Sequence, residues 1–170
     1  MKRLIIARHA KSSWDNPEIS DFERPLNKRG KRDAEFMSNL INSKVNVPDL
    51  IIASPALRAA TTAKYFAEAL NYDYDKIEFS ESFYFNGSKY IVEKLKTLDS
   101  SINSVMIFGH NPDITSLASY FSGEFFDNIP TCGVVCLDFN IDNWSKIEEE
   151  NAKIVFFEYP KKYLKNNNDD

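Results

Sequence analysis

The chain predicts an α/β fold, a three-layer α/β/α sandwich around a mostly parallel sheet, on three observations. Short apolar runs alternate four times with segments of helical period. The runs Leu4–Arg8, Leu50–Ala53 and Ser104–Phe108 are apolar without alternation, as in strands covered on both faces. Two strand exits carry a cap-then-proline pair, Ser54-Pro55 and Asn111-Pro112, the grammar of a helix start.

Taken in order, the first strand ends at Arg8-His9, and in open α/β sheets ligands bind at the carboxyl ends of strands. A polar loop runs from Lys11 to about Pro25, and loops of that length without regular structure are often functional. Trp14 within it reads either as a plug at the edge of the core or as a substrate contact. Asn27 caps a helix running to about Ser43, with Phe36, Met37, Leu40 and Ile41 facing the sheet. Gly30, in its first turn, permits close backbone approach. Lys28, Arg29, Lys31 and Arg32 oppose the helix dipole there. They read as a solvated face or as a rim that attracts an acidic phosphoprotein.

After the strand Leu50–Ala53, Ser54 caps and Pro55 opens a helix reaching Leu70. Arg58 lies in its first turn and should lean back toward the strand ends. Lys76–Glu81 reads as a third strand ending in a carboxylate, and 82–87 as a loop. Gly87 or Ser88 opens a helix with Ile91, Leu95 and Leu98 inward. The strand Ser104–Phe108 leads into Gly109-His110. Asn111-Pro112 then opens a helix whose stripe of Ile114, Leu117, Ala118 and Phe121 is closed by Gly123. Thr131–Phe139 and Lys153–Glu158 read as two last strands, with an antiparallel arrangement open to them.

A length of 170 residues suits one domain over 1–164 with a polar tail over 165–170. The net charge of −4 gives no general attraction to nucleic acid or to an anionic membrane. The apolar run after Met1-Lys2-Arg3 is too short for a signal peptide, so cytoplasmic residence is expected. Cys132 and Cys136, read on one strand, would lie roughly 13 Å apart, too far for a disulfide. With two histidines in the chain a zinc site has no support, and neither metal nor cofactor is expected.

Arg8, His9, Arg58 and His110 therefore converge on one sheet edge, beside two helix N-termini. Arginine suits bidentate phosphate binding, and unpaired helix amides favour an anion. Phosphoryl transfer is mainly positioning and electrostatic clamping. A neutral histidine is a good nucleophile when an acceptor holds one ring nitrogen. His9 is the candidate, its ring fixed by a main-chain carbonyl, with Arg8, Arg58 and His110 on the phosphoryl oxygens.

Arg8-His9-Ala10, then Ser54-Pro55-Ala56-Leu57-Arg58-Ala59, then Gly109-His110-Asn111-Pro112 together resemble the histidine phosphatase superfamily. Asp21-Phe22-Glu23-Arg24-Pro25-Leu26-Asn27-Lys28-Arg29-Gly30 is similar to a segment of its short SixA-like branch, the phosphohistidine phosphatases. The resemblance covers Lys2 to about Gly123. It implies a phosphoglycerate mutase-like sandwich, a phosphohistidine intermediate at His9 and a phosphate pocket of Arg8, Arg58 and His110, with Ser12 near the phosphate. Ala10 stands where the commonest family signature has glycine, a change associated with the short branch.

Larger branches carry an acidic proton donor, and Glu81 stands near its expected place, either as that acid or as a solvated carboxylate. A general acid is worth roughly 10²–10⁴-fold for a poor leaving group. An imidazole leaving a labile P–N bond needs it less. The expected function is thus phosphohistidine hydrolysis on a phosphorylated protein. A phosphomonoesterase acting on a small sugar or nucleotide phosphate is the alternative, and a non-catalytic phosphate-binding module stands behind both.

Overall fold

The computed structural model describes residues 1–165; the rest of the tail, 166–170, lies outside the described residues. One mixed sheet organises the chain. Its strands are β1 (Lys2–Arg8), β2 (Leu50–Ala53), β3 (Glu78–Phe79), β4 (Ser104–Gly109), β5 (Val134–Phe139) and β6 (Ala152–Glu158). They lie in the order β3-β2-β4-β1-β5-β6. β1, β2, β3 and β4 are parallel, β5 runs antiparallel to β1, and β6 antiparallel to β5.

The unbroken apolar runs follow from the layers on both faces. Ile5, Ala7, Ile51, Ala53, Met106 and Phe108 meet the helices α1 (Lys28–Asn42) and α2 (Leu57–Ala69) through Met37, Ile41, Ala63 and Phe66. Leu4, Ile6, Ile52, Val105 and Ile107 face α3 (Ser88–Lys96) and α4 (Asp113–Ser122) through Ile91, Leu95, Ile114, Leu117 and Phe121. Within α1 the expected inward residues divide: Met37 and Ile41 are fully covered, while Phe36 and Leu40 pack half-buried at the margin.

Several local expectations hold. Asn27 caps α1, accepting from the Gly30 N–H at 2.7 Å. Gly123 closes α4 with φ of 70°. Gly87 precedes α3. Both cysteines are free and buried.

Others are corrected. Ser54 does not cap α2, which starts at Leu57; its hydroxyl accepts from the Ala56 N–H at 3.3 Å and lies 2.7 Å from His110 Nε2. Asn111 does not cap α4 in the ordinary way either. Pro112 occupies that position, and from one residue earlier Asn111 Oδ1 accepts both the first-turn Thr115 N–H at 3.3 Å and the Thr115 hydroxyl at 2.8 Å.

The third strand is only Glu78–Phe79, because just two residues of β2 pair with it at the sheet edge. β5 begins at Val134 rather than Thr131. Cys132 has φ of 60° and the Gly133 N–H turns back onto Pro130 O at 2.9 Å, so regular strand geometry begins only at Val134, although Gly133 O still accepts from the Arg8 N–H at 3.0 Å and the Cys132 N–H donates to His9 O at 3.1 Å. Cys132 is therefore not on the strand with Cys136. Trp14 is 73% exposed and plugs no core. In the basic cluster, Arg29 and Arg32 both pair with the buried Asp33, at 3.5 and 2.8 Å, which leaves Lys28 and Lys31 as its exposed cations.

Gly30 is where α1 touches the loop that follows β1. A Cβ there would lie 2.0 Å from the Lys11 carbonyl oxygen, a main-chain atom that cannot swing aside. Gly30→Ala should destabilise the protein by about 1–3 kcal/mol through overpacking. A lowered urea midpoint at unchanged m-value would register it.

Candidate active site

The pairing of β1 with β4 builds the site. Arg8 lies opposite Gly109, and the His9 N–H donates to the Gly109 carbonyl at 3.1 Å. The next residue on each strand is a histidine, and the two rings stand 5.0 Å apart. α1, which follows β1, covers one face of the sheet; α4, which follows β4, covers the other. This point of divergence is where open α/β sheets leave a crevice.

His9 is 8% exposed, and its Nδ1 lies 2.7 Å from the Ala10 carbonyl. A carbonyl can only accept, so Nδ1 carries the proton and Nε2 keeps its lone pair. The tether is itself held: the Ala10 N–H donates to Thr62 Oγ1 at 3.0 Å, and that hydroxyl donates to the Arg58 carbonyl at 2.7 Å. Burial pushes the His9 pKa well below the ordinary histidine value, opposed by the Ala10 carbonyl and reinforced by His110, Arg58 and Arg8. The nucleophile candidate is neutral.

Arg58 is 1% exposed and does lean back from the first turn of α2. Its Nη1 donates to the Asp21 carbonyl at 2.6 Å and Nη2 to Asp21 Oδ2 at 3.0 Å. Arg8 Nη1 donates to the Ile129 carbonyl at 2.8 Å. Asn111 Nδ2 reaches the same carbonyl at 3.0 Å, so Asn111 acts as a strut between α4 and the loop beside Arg8. His110 is buried; its Nε2 faces Ser54 Oγ, and burial, then Arg58, push its pKa down to about 3 with Asp21 opposing.

Asp21 is a hub that sequence reasoning did not single out. Besides Arg58 it accepts from Arg24 Nη2 at 2.8 Å and from the Tyr84 hydroxyl at 2.6 Å. Partial burial works against the charged carboxylate, yet the hydrogen bonds from Tyr84, Arg24 and Arg58 outweigh it and hold the pKa far below the carboxylate range. Arg24 also donates to Ser12 Oγ and lies 3.8 Å from the Trp14 ring centroid. Phe85 packs on His110 with ring centroids 4.7 Å apart. The only sequence signals for these partners were acidic and basic residues in a long polar loop and an aromatic run before Asn86-Gly87.

Arg8, His9, Arg58 and His110 are thus brought together, and Ser12 joins them through Arg24. No side-chain hydrogen bond or ion pair among the described residues ties Glu81 to them: it is exposed and opens a single turn over Glu81–Phe83. Its main-chain oxygen instead receives Asn86 Nδ2 at 2.7 Å. At the site, Arg8 Nε, Arg24 Nε, Arg58 Nε and His110 Nδ1 are buried with no hydrogen-bond partner among the described residues. Orphaned buried N–H donors are rare, and the three arginine nitrogens beside a neutral histidine suit a multiply charged oxyanion. Among the described residues no three His, Cys, Asp or Glu side chains are grouped to hold a metal ion, and no helix is long and apolar enough to cross a membrane.

Arg58→Lys keeps the charge but loses Nε and the fork on Asp21. Affinity for inorganic phosphate should fall by about ten- to a hundredfold in a calorimetric titration. Stability should also report the buried histidines. Their folded pKa values are depressed, so below the ordinary value of about 6.5 the unfolded chain binds more protons and stability falls as the pH drops. Urea unfolding should lose up to about 1.4 kcal/mol per pH unit for each histidine below that point, a slope that His9→Asn or His110→Asn should reduce.

Comparison with known proteins agrees with this geometry. Residues 4–82 match the family described as the histidine phosphatase superfamily, branch 1. An uncharacterized chloroplastic protein of Arabidopsis thaliana is 32% identical over 155 residues, covering 85% of this chain and 70% of its own. A protein of Agrobacterium tumefaciens, provisionally assigned as the phosphohistidine phosphatase SixA, superposes with a TM-score of 0.80 at 28% identity, over 94% of this chain and 98% of its own. A protein histidine phosphatase SixA solved with tungstate has a TM-score of 0.79 at 22% identity, over 94% and 98% of the two chains, a likeness of fold. With its two strand-end histidines, its buried Arg58 and these relatives, the chain belongs to the histidine phosphatase superfamily, in the short SixA-like branch.

Proposed function

We propose that the chain is a phosphohistidine phosphatase that works through a phosphoryl group carried on His9. The observation that carries this reading is the tether of His9 Nδ1 to the Ala10 carbonyl, which leaves Nε2 with its lone pair in a site that holds the orphaned Nε donors of Arg8 and Arg58 and the His110 ring. Arg8 and Arg58 hold the phosphoryl oxygens. Burial keeps His110 neutral, and the charge of a phosphoryl dianion raises its basicity, because an opposite charge favours the protonated form.

In the first half-reaction His9 Nε2 bonds to phosphorus while the P–N bond of the substrate breaks. The electron pair of that bond stays on the leaving ring nitrogen. A proton already on the other ring nitrogen lets the imidazole depart neutral. In the second half-reaction a water oxygen bonds to phosphorus, the bond to His9 Nε2 breaks, and the pair returns to His9. Inorganic phosphate leaves with the remaining water proton passed to solvent.

This sequence asks little of a general acid, in keeping with the exposed and unpaired position of Glu81. Ser12, bonded by Arg24, lines the entrance to the same pocket in this reading. Lys28 and Lys31, exposed at the start of α1, are the cations available to an acidic phosphoprotein partner.

The test is to trap the intermediate. Wild type and His9→Ala are incubated with a labelled phosphorylated imidazole and, separately, with a labelled alkyl phosphate, then quenched in base. Base-stable, acid-labile label on wild type only, and faster from the phosphoimidazole, is the expected result. Faster labelling from the alkyl phosphate would favour the monoesterase, and tight phosphate binding without label would make the protein a binding module.

A further inference from the structure

Phe85 has φ of 54°, the left-handed region that a bulky side chain enters only under constraint. The constraint is visible on both sides. The Tyr84 N–H and Asn86 Nδ2 donate to the Glu81 carbonyl at 2.9 and 2.7 Å. The Tyr84 hydroxyl is held by Asp21 at 2.6 Å, and the Gly87 N–H by the buried Asp113 at 3.1 Å. This pinned loop sets the Phe85 ring against His110 at 4.7 Å and 30°, with the Arg58 guanidinium carbon 5.9 Å from its centroid.

Shelter from water does not account for the arrangement, since Phe85 remains 50% exposed. One face of the ring covers His110. The Tyr84 ring packs against it as well, with centroids 5.0 Å apart, and the half of Phe85 that stays exposed is an apolar surface beside His110 and Arg58. A group attached to a phosphoryl held there meets that surface as it leaves.

We propose that Phe85 is a specificity-determining residue that stacks the planar aromatic leaving group of the substrate. The inference rests on the phospho-His9 reading. Aromatic rings prefer offset contact at centroid distances of about 4.5–7 Å, a geometry available to an imidazole or a phenol and denied to ammonia or an alkyl chain. The bond changes are the same for each donor. Phosphorus moves to His9 Nε2, and the breaking bond's electron pair goes to the leaving nitrogen or oxygen. An imidazole already protonated on its other nitrogen leaves neutral, ammonia leaves neutral from N-protonated phosphoramidate, and a phenolate takes its proton from solvent.

The experiment measures kcat/KM of wild type, Phe85→Leu and Phe85→Tyr on a phosphorylated imidazole, an aryl phosphate and phosphoramidate, whose leaving group is ammonia. Leucine keeps an apolar cover on His110 and removes the aromatic face. The ratio of the phosphoimidazole to phosphoramidate should fall about tenfold in Phe85→Leu and return toward wild type in Phe85→Tyr. A parallel fall for the aryl phosphate would identify any planar leaving group as the preferred class; a fall for the phosphoimidazole alone would narrow it to the imidazole.

Both substrates meet the same preparation, so a partly unfolded variant lowers both rates and leaves the ratio unchanged. An unchanged ratio in Phe85→Leu, or one equally low in Phe85→Tyr, would overturn the proposal while phospho-His9 still forms. A wild type that takes no label from any donor would overturn the underlying reading and this inference with it.

Discussion

The parallel pairing of β1 with β4 is the constraint on which the site depends. Its register sets Arg8 against Gly109 and so makes neighbours of two histidines separated by a hundred residues of chain. A slip of one residue would send one ring to the opposite face of the sheet. The register is secured by burial on both faces, since every residue from Leu4 to Ala7 and from Val105 to Gly109 is covered. The chemistry of the edge and the packing of the core are therefore one arrangement.

A pocket that gathers Arg8, Arg24 and Arg58 around neutral histidines needs a compensating negative charge. Asp21 supplies it, with one carboxylate and one carbonyl holding Arg58 and Arg24 in fixed orientations. Breaking a buried charge from its partner is costly, so these contacts also tie the long loop after β1 to α2. Tyr84 extends the same network to the loop that carries Phe85. The pocket walls come from segments far apart in the chain, yet they share one hydrogen-bonded carboxylate.

Much of the fold was legible because its signals are local. Apolar runs of strand length, helical stripes such as Ile114, Leu117 and Phe121, and the Asn27 cap each need only a few neighbouring residues to be read. The local rules failed at Ser54 and were off by one residue at Asn111. Both residue types can cap a helix, but Ser54 is used on His110, while Asn111 sits one residue before the cap, where its oxygen takes the Thr115 N–H and hydroxyl and its amide holds the loop at Ile129. A side chain has few hydrogen-bonding atoms, and a partner distant in sequence can claim them first.

The sequence by itself determined the α/β class, the strand-end positions of Arg8, His9 and His110, the backward lean of Arg58 and the close approach at Gly30. These follow from periodicity, from side-chain direction on a helix and from the missing Cβ of glycine. Only the tertiary structure decided the strand order, the Asp21 hub, the exposure of Glu81 and Trp14, and the placement of Phe85 over His110. Each depends on which groups meet after the chain has turned back on itself. Among polar and aromatic residues that choice is set by geometry and by competition for partners, neither of which leaves a period in the sequence.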